Sequence, residues 1–446
     1  MNKSRLVLIA IILVSAFIRF YSLDHFAGFD YDQETAVGIA QTILHGKPVL
    51  IGQEISTGGI FTGPFLNYLM AILLLVAKGN PSILFWFQAL IGTISIYLCF
   101  RVGESYSKNS GLITAFIYAF SLRILAIDHS FNPSTLIPFL TLLGLFFFTS
   151  PKKSPHQKLI LTSLIAGVAS QLHPAGAPLL VLPAILILGS RLSSRSKLTA
   201  TLVAFFSFVI WFTPLIIFDL RHDFLNTRHL LSLSQNLTYP LVFRLSITTN
   251  LLFTLAVSLI RPGLISIIAF VIALPAFGST WAKSSPLIAL FAANLLLFSF
   301  YQGPVQDYYL FPGMIAMLLA LSLGLARQAQ RFLLVRPALI LIAVIFFATT
   351  LTNLNSLSHP FSLHDKKQVI AAIKQVSDPR DQVTIHIDAD LGQNNGFTYL
   401  AAWQQLDALF SFKNPDFIIY IPKSRGENGQ VFGNLRLVSI SPNTKP

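Results

Sequence analysis

The chain has 446 residues, of which 54% are hydrophobic and 11% charged, and its mean hydropathy is +0.67. Leu, Ile and Phe recur in blocks of roughly 18–25 residues, the length that crosses about 30 Å of hydrocarbon. This excludes a soluble globular protein and predicts an all-α polytopic membrane protein. The net charge of +13 does not indicate a nucleic-acid partner, because the basic residues form short clusters between the apolar blocks, as in cytoplasmic loops.

The first apolar run, residues 6–23, follows Lys3 and Arg5 and has no small-residue cleavage site. It is therefore predicted to be an uncleaved signal anchor with a cytoplasmic N-terminus. Cys99 is the single cysteine of the sequence. It excludes a disulfide within the chain and a metal site built from thiolates.

About eleven crossings follow when the basic clusters are placed in the cytoplasm. They are 6–23, 82–100, 111–127, 134–150, 159–175, 177–190, 199–218, 262–278, 286–301, 308–325 and 337–353. Residues 24–80 then form a long first external loop. Two spare apolar stretches, 61–77 and 240–260, are predicted to be helices in the external interface. In this topology nine of the ten Asp and Glu residues before position 356 lie outside, which the charge rule itself does not require.

The composition changes near residue 356. Val369, Ile370, Ile373 and Val376 have helical spacing, and "QVTIHID", "DFIIYIP" and "LRLVSIS" are typical of strands. Residues 1–355 are therefore predicted to form the membrane domain and 356–446 a small α/β domain. Because the predicted number of crossings is odd and the N-terminus is cytoplasmic, this second domain is predicted to lie on the external side of the membrane.

The first external loop concentrates carboxylates. Asp30, Asp32 and Glu34 lie within five positions, and "DQETAVGIAQTILHGK" continues with helical periodicity until Gly46 provides a stop. Asp32 lies at or near the predicted helix start, where the helix dipole favours a carboxylate. Two interpretations stay open: Asp32 is a general base at the membrane surface, or it only caps the helix.

Other predicted external turns offer candidate residues for lining a cavity. Asp128 and His129 precede the helix start at Asn132, and His173 lies beside Pro174 in an apolar region. Asp307, Tyr308 and Tyr309 lie in "YQGPVQDYYLFPG". Each also has an ordinary structural interpretation, as a cap, a hydrogen-bonded histidine or interfacial tyrosines.

The segment "FDLRHDFLNTRHL" places Arg221, His222 and Arg228 on the external side, against the charge rule. A guanidinium donates two parallel hydrogen bonds, so this pair of arginines is a candidate phosphate site. The alternative is that the arginines only pair with Asp219 and Asp223.

Together these segments resemble the GT-C membrane glycosyltransferases, in particular the family 39 group of protein O-mannosyltransferases and lipid A aminoarabinose transferases. The resemblance covers roughly residues 5–350 and rests on "DQETAVGIAQTILHGK", "FDLRHDFLNTRHL" and "DYYLFP". The chain departs from the family in one place, since the usual Asp-Glu pair is Asp32-Gln33 here. Glu34 or Asp30 is left to supply the second carboxylate.

The resemblance implies transfer of a sugar from a polyprenyl-phosphate donor to an envelope glycan, lipid or protein, outside the plasma (inner) membrane. Asp32 would take the acceptor's proton, C1 would be attacked with inversion, and the arginines would hold the phosphate. No cofactor is certain from the sequence, and a divalent metal is possible but not indicated. The rival hypotheses are a transporter or lipid flippase, which predicts inverted repeats and ionisable residues near mid-bilayer, and a scaffold without catalysis.

Overall fold

The computed structural model describes residues 3–55, 58–190, 193–233, 240–261, 263–273, 281–301, 303, 305–378, 381–390 and 392–440. The α-helices in these residues are α1 (Lys3–Phe20), α2 (Leu23–Phe26), α3 (Tyr31–Leu44), α4 (Phe65–Val76), α5 (Ser82–Tyr106), α6 (Ser110–Phe120), α7 (Leu122–Asp128), α8 (Ile137–Thr149), α9 (Pro155–Leu172), α10 (Val181–Leu188), α11 (Ser194–Val209), α12 (Thr213–Arg221), α13 (Leu225–Leu233), α14 (Leu241–Ser258), α15 (Gly263–Ala273), α16 (Trp281–Phe300), α17 (Phe311–Arg331), α18 (Val335–Thr352), α19 (Leu363–Val376) and α20 (Phe397–Trp403). The described strands are β1 (Val383–Asp388), β2 (Ala408–Phe410), β3 (Phe417–Tyr420), β4 (Gln430–Phe432) and β5 (Leu435–Ser439).

The helical bundle belongs to a membrane protein, as predicted. In the described part of the chain, five helices are long and apolar enough to cross a membrane, or six if the bent pair α6 and α7 is one span. The five are Ser82–Tyr106, Ser194–Arg221, Leu241–Ser258, Asp307–Arg331 and Val335–Thr352. The predicted number of eleven is not confirmed. Other predicted crossings are shorter apolar helices, such as Pro133–Thr149 and Pro174–Leu188, whose starts at a proline limit their length.

The break between α6 and α7 has a local cause. Ser121 is extended, with φ −68° and ψ 119°, and its side chain accepts a hydrogen bond from the backbone N–H of Ile124. This is the geometry of a helix N-cap, so a new helix starts there and leaves α6 at 64°. The bend fixes where Arg123, the second residue of α7, leaves the bundle.

Helix α14 occupies the segment 240–260, for which a helix in the external interface is predicted. Leu252 lies against Gly313 near the start of α17, and Ile260 lines the same apolar cavity as Leu325 near its end. α14 therefore runs beside part of α17, and it is long and apolar enough to cross a membrane.

Helix α15 occupies part of the predicted crossing 262–278. It has 11 residues, which is too short to cross a bilayer by itself, and residues 274–280 lie outside the described part of the chain. Its Ala273 packs against Gly324 of α17.

The C-terminal residues form a mixed five-stranded sheet in the order β2-β1-β3-β5-β4. Strand β1 is parallel to β2 and β3, whereas β5 is antiparallel to β3 and β4. Three of the predicted apolar positions of α19, Val369, Ile370 and Ile373, are buried, while Val376 is exposed at the end of the helix. The predicted small α/β domain is confirmed.

The bundle and the C-terminal sheet domain meet along the first loop. The backbone N–H of Leu363 donates to the carbonyl of Ala27 (2.8 Å), and that of His359 donates to the carbonyl of His25 (3.1 Å). Gly28 and Ser362 form an antiparallel bridge. These contacts anchor the start of α19 directly beside the start of α3, and they fix the position of the carboxylates.

Candidate active site

The first turn of α3 is set by its capping residues. Asp30 is the N-cap, and its backbone N–H donates to Oε1 of Gln33 (3.1 Å). The amide Nε2 of Gln33 donates to the carbonyl of Phe131 (3.1 Å). A glutamate at this position has no N–H to donate, so the Asp32-Gln33 departure from the family pattern has a structural reason. Asp32 therefore lies within the first turn and is not the cap.

A polar cavity of about 190 Å³ opens beside this turn. Five segments of the chain surround it: the start of α3, the loop that follows, the turn before α8, the turn at position 173 and the turn at position 308. Its lining residues are Asp32, Gln53, Glu54, Ile55, Thr62, Asn132, Pro133, Ser134, His173, Tyr308 and Tyr309. The structure thus brings Asp32, His173, Tyr308 and Tyr309 together, all candidates from the sequence.

The aromatic wall of the cavity is held by ring packing. The His173 ring lies 5.4 Å from the ring of Tyr308 and 5.2 Å from that of Tyr309, centroid to centroid. The Nδ1 atom of His173 accepts a hydrogen bond from the backbone N–H of Ala175 (3.1 Å). In the neutral ring Nε2 therefore carries the proton. His173 also starts the 3₁₀ turn Pro174–Leu180, which explains its place beside a proline.

Asp32 has the electrostatics of a proton acceptor. Its side chain stays open to solvent, and its backbone carbonyl accepts from Nε2 of Gln53 (2.6 Å). Partial burial in the cavity raises the pKa of Asp32, and the negative charge of Asp30 raises it further. A carboxylate of raised basicity beside a cavity suits general base catalysis.

Asp30 and Glu34 point away from the cavity, toward the C-terminal domain. Asp30 lies 2.7 Å from Nζ of Lys366 and 3.3 Å from Nε2 of His359. Burial raises the pKa of Asp30, but the His359 hydrogen bond and the Lys366 charge outweigh it, so the pKa is lowered. Glu34 accepts hydrogen bonds from the backbone N–H groups of Gly396 (2.7 Å) and Tyr399 (2.9 Å). Neither lines the cavity as a second carboxylate.

Asp128 and His129 do not line the cavity either. Asp128 forms a buried ion pair with Arg19, whose side chain is fully buried, at 2.8 Å. The ring of His129 stacks on Phe26 at 4.8 Å and is buried as well. Both belong to the interior of the bundle, because a buried guanidinium needs a carboxylate partner.

The basic segment 218–230 contacts the first loop through Asn226 and Phe61, but it does not line the polar cavity. Arg221, His222 and Arg228 are exposed and line neither this cavity nor the apolar groove described below. Within the described residues no ion pair joins the two arginines to Asp219 or Asp223. Asp219 instead caps α13, since it accepts from the backbone N–H groups of Asn226 (2.8 Å) and Thr227 (3.1 Å).

Arg123 is a basic residue near the cavity that the sequence analysis did not single out. Its guanidinium pairs with the carboxylate of Asp307, the residue directly before Tyr308 in the cavity wall. Asp32 and Tyr308 are close enough to interact electrostatically. Arg123 and the buried Arg19 both lie in predicted apolar crossings, where an ionisable residue is itself a signal of function or of a buried partner.

An apolar groove of about 450 Å³ adjoins the polar cavity. The two share Ile55 and Thr62 in their walls. The rest of the groove is formed largely by apolar side chains; its lining residues are Ile55, Ile60, Phe61, Thr62, Gly63, Ser170, Gln171, Pro174, Ala177, Phe208, Phe212, Leu215, Ile216, Asp219, Asn226, Thr227 and Leu230. A ligand with a polar head and an apolar tail fits this pair of spaces.

Comparison with known proteins identifies the fold. Residues 62–218 match the model of the dolichyl-phosphate-mannose-protein mannosyltransferase family. The crystal structure of ArnT from Cupriavidus metallidurans bound to undecaprenyl phosphate aligns with a TM-score of 0.58 at 13% identity, covering 98% of this chain and 99% of that one. The apo structure of the same protein aligns with a TM-score of 0.61 at 12% identity over 93% of each chain. The chain has the GT-C fold of membrane glycosyltransferases. No curated protein sequence matches it.

The GT-C resemblance stated from the sequence is thereby confirmed. Among the described residues, one group of three potential metal ligands is found: His25, His364 and Asp365. This group lies outside the cavity wall.

Proposed function

We propose that this GT-C chain is an integral-membrane glycosyltransferase that moves a sugar from a polyprenyl-phosphate donor to an acceptor hydroxyl. The observation that carries the proposal is the contact between the polar cavity at Asp32 and the apolar groove, through Ile55 and Thr62. The polyprenyl tail occupies the groove and the phosphate-linked sugar occupies the cavity. ArnT, which shares the fold, binds a lipid of this class.

The chemistry in this proposal follows from Asp32. Its carboxylate accepts the proton of the acceptor hydroxyl while the oxygen attacks C1 of the sugar. The bond between C1 and the phosphate oxygen breaks, and the polyprenyl phosphate leaves with the electron pair. Attack on the face opposite the phosphate inverts the configuration at C1. Asp30 and Glu34 take no part in the proton transfer, because the C-terminal domain holds both.

The leaving phosphate needs a positive partner. We place Arg123 in this role, because its ion pair with Asp307 puts a guanidinium beside the tyrosine wall. Arg221, Arg228 and His222 remain the alternative from the sequence, and they require the segment 218–230 to move toward the cavity. The two assignments differ for Arg123→Lys, which keeps the charge and loses the planar fork.

The membrane orientation is part of the proposal. The N-terminus is cytoplasmic, and residues 356–446 lie outside the plasma (inner) membrane, where a lipid, glycan or protein of the envelope is the acceptor. The basic clusters between the apolar blocks support this orientation.

The test is transfer from a synthetic polyprenyl-phosphate sugar by the purified protein in detergent. We expect turnover by the wild type and loss of turnover in Asp32→Asn. Ala177→Trp fills the groove, so it should raise KM for a long-chain donor and leave use of a two-isoprene analogue unchanged. Equal effects on both donors would mean that the tail does not occupy this groove.

A transporter or flippase remains the competing hypothesis. It predicts movement of the intact lipid-linked sugar across proteoliposomes without release of polyprenyl phosphate. Release of polyprenyl phosphate that depends on Asp32 rejects this hypothesis, whereas movement without release rejects ours.

A further inference from the structure

Three potential metal ligands meet where the bundle joins the C-terminal domain. His25 lies in α2, while His364 and Asp365 lie in the first turn of α19. One ligand atom from each residue lies within 4.8 Å of the other two. The two imidazole rings have their centroids 3.8 Å apart. A tetrahedral zinc ion holds its ligand atoms about 3.4 Å apart, so small side-chain rotations bring the three to bonding positions.

The three side chains have no hydrogen-bond partners among the described residues. In the described part of the chain, neither imidazole donates or accepts a hydrogen bond, and the carboxylate of Asp365 accepts none. The charges acting on His364 are Asp24 and Asp365 on one side and Lys367 on the other, besides His25. Lys367 is itself paired with Asp24 at 3.0 Å. The carboxylate of Asp365 is thus left to balance an added cation.

We propose that His25, His364 and Asp365 bind a divalent cation of the zinc class. Two imidazoles and one carboxylate suit zinc and its neighbours, whereas Mg²⁺ and Ca²⁺ prefer oxygen ligands. An open cavity of about 430 Å³ next to the group leaves space for a water molecule as the fourth ligand. Three protein ligands from two parts of the chain form one coordination sphere.

The position gives the ion a structural role. It would join α2 of the bundle to α19 of the C-terminal domain, next to the backbone bonds of His359 and Leu363. The next residue of α19, Lys366, holds Asp30 at the start of α3. The ion thus stabilises the junction that positions the first turn of α3. This role does not depend on the reaction proposed above.

The test uses the full-length chain without an affinity tag, purified in detergent and stripped with EDTA. Titration with Zn²⁺ by calorimetry should show one equivalent, and Co²⁺ should give the visible absorption of a tetrahedral site. His25→Ala and His364→Ala should each weaken binding at least about tenfold, the size of effect known for outer-shell partners. The matched control is His45→Ala: this exposed histidine directly follows α3, and its Nδ1 bonds to the carbonyl of Gln41 in that helix (2.7 Å).

Thermal melting provides the second readout. Zn²⁺ should raise the Tm of the wild type and of His45→Ala but not that of His364→Ala. Asp365→Asn covers the case that a histidine variant fails to fold, since it keeps the shape and lowers the affinity. Absence of Zn²⁺ binding in the wild type, or wild-type affinity in the His25 and His364 variants, overturns the proposal. Neither result depends on glycosyl transfer.

Discussion

The carboxylates on the two sides of the first turn of α3 have pKa values shifted in opposite directions. On the cavity side, Asp32 stays open to solvent, and burial together with the charge of Asp30 raises its pKa. On the junction side, Asp30 meets Lys366 and His359, and its pKa is lowered despite burial. Two aspartates two positions apart therefore have pKa values that their surroundings push in opposite directions.

This difference distinguishes a carboxylate that can act as a base from one that stabilises the fold. A base needs a carboxylate that binds a proton readily, whereas a structural carboxylate needs partners that keep it charged. Glu34 belongs to the structural side too, because it accepts two backbone hydrogen bonds from the start of α20. In the acidic cluster of the sequence, Asp32 is the candidate base, and Asp30 and Glu34 bind the C-terminal domain.

The largest effect is expected for Asp32→Asn. The amide cannot accept the acceptor's proton, so turnover should fall by about 10²–10⁴. Stability should stay near that of the wild type, because no other residue in the described chain bonds to the Asp32 carboxylate. Turnover with a polyprenyl-phosphate sugar and thermal melting check the two parts. Full activity in this variant would show that another group is the base.

The next effect concerns Lys366→Ala on the junction side. The Lys366 side chain is fully buried and donates to Asp30 (2.7 Å) and to the carbonyls of Phe29 (2.8 Å) and Asn395 (2.9 Å). Its removal should destabilise the docked C-terminal domain by about 2–3 kcal/mol, less than for a wholly buried pair, since Asp30 is partly exposed. Limited proteolysis should detect the loosened domain.

Lys374→Ala is the control for this prediction. Lys374 lies on the same helix, is exposed, and donates to the carbonyl of Gln404. It should leave proteolysis unchanged. If both variants are cut at the same rate, α19 is not held by the ion pair with Asp30.

A smaller effect is expected for Glu34→Ala. The carboxylate satisfies the backbone N–H groups of Gly396 and Tyr399, which are the first donors of α20. Its loss should cost about 1–2 kcal/mol of junction stability. Turnover per folded molecule should remain within a few-fold of the wild type. A loss of turnover as large as that of Asp32→Asn would instead make Glu34 the second catalytic carboxylate.

The comparison also shows what the sequence predicts and what it does not. Hydropathy, charge position and periodicity predict the membrane bundle, the helix that starts near Asp32 and stops at Gly46, and the C-terminal domain, because these depend on local patterns. They do not predict that Asp30 and Glu34 face α19 and α20, since those contacts join residues more than 300 positions apart. They also do not predict that α14 packs against α16 and α17.

Charged residues near the membrane show the same limit. Arg19 and Arg123 lie in predicted apolar crossings, and this is a sign in the sequence that each has a carboxylate partner. The partners, Asp128 and Asp307, lie 109 and 184 positions away. Arg221 and Arg228 cluster in the sequence, which predicts a phosphate site, yet they are exposed and line neither the cavity nor the groove.

The smallest effect is a shift of the pH profile. The raised pKa of Asp32 means that activity falls as the pH drops through a value above the ordinary 3.8 of an aspartate. The pH dependence of stability at Asp30 has the opposite cause: its lowered pKa stabilises the fold above pH 3.8, and this contribution is lost as the pH falls below that value.

Asp30→Asn removes the negative charge that helps to raise the Asp32 pKa. The acidic limb of kcat/KM should therefore move to lower pH, by less than the whole shift, because burial is the larger cause. The variant is compared with Lys374→Ala, which leaves the charges around Asp32 unchanged. A limb that stays in place, or moves to higher pH, would show that Asp30 does not act on the base.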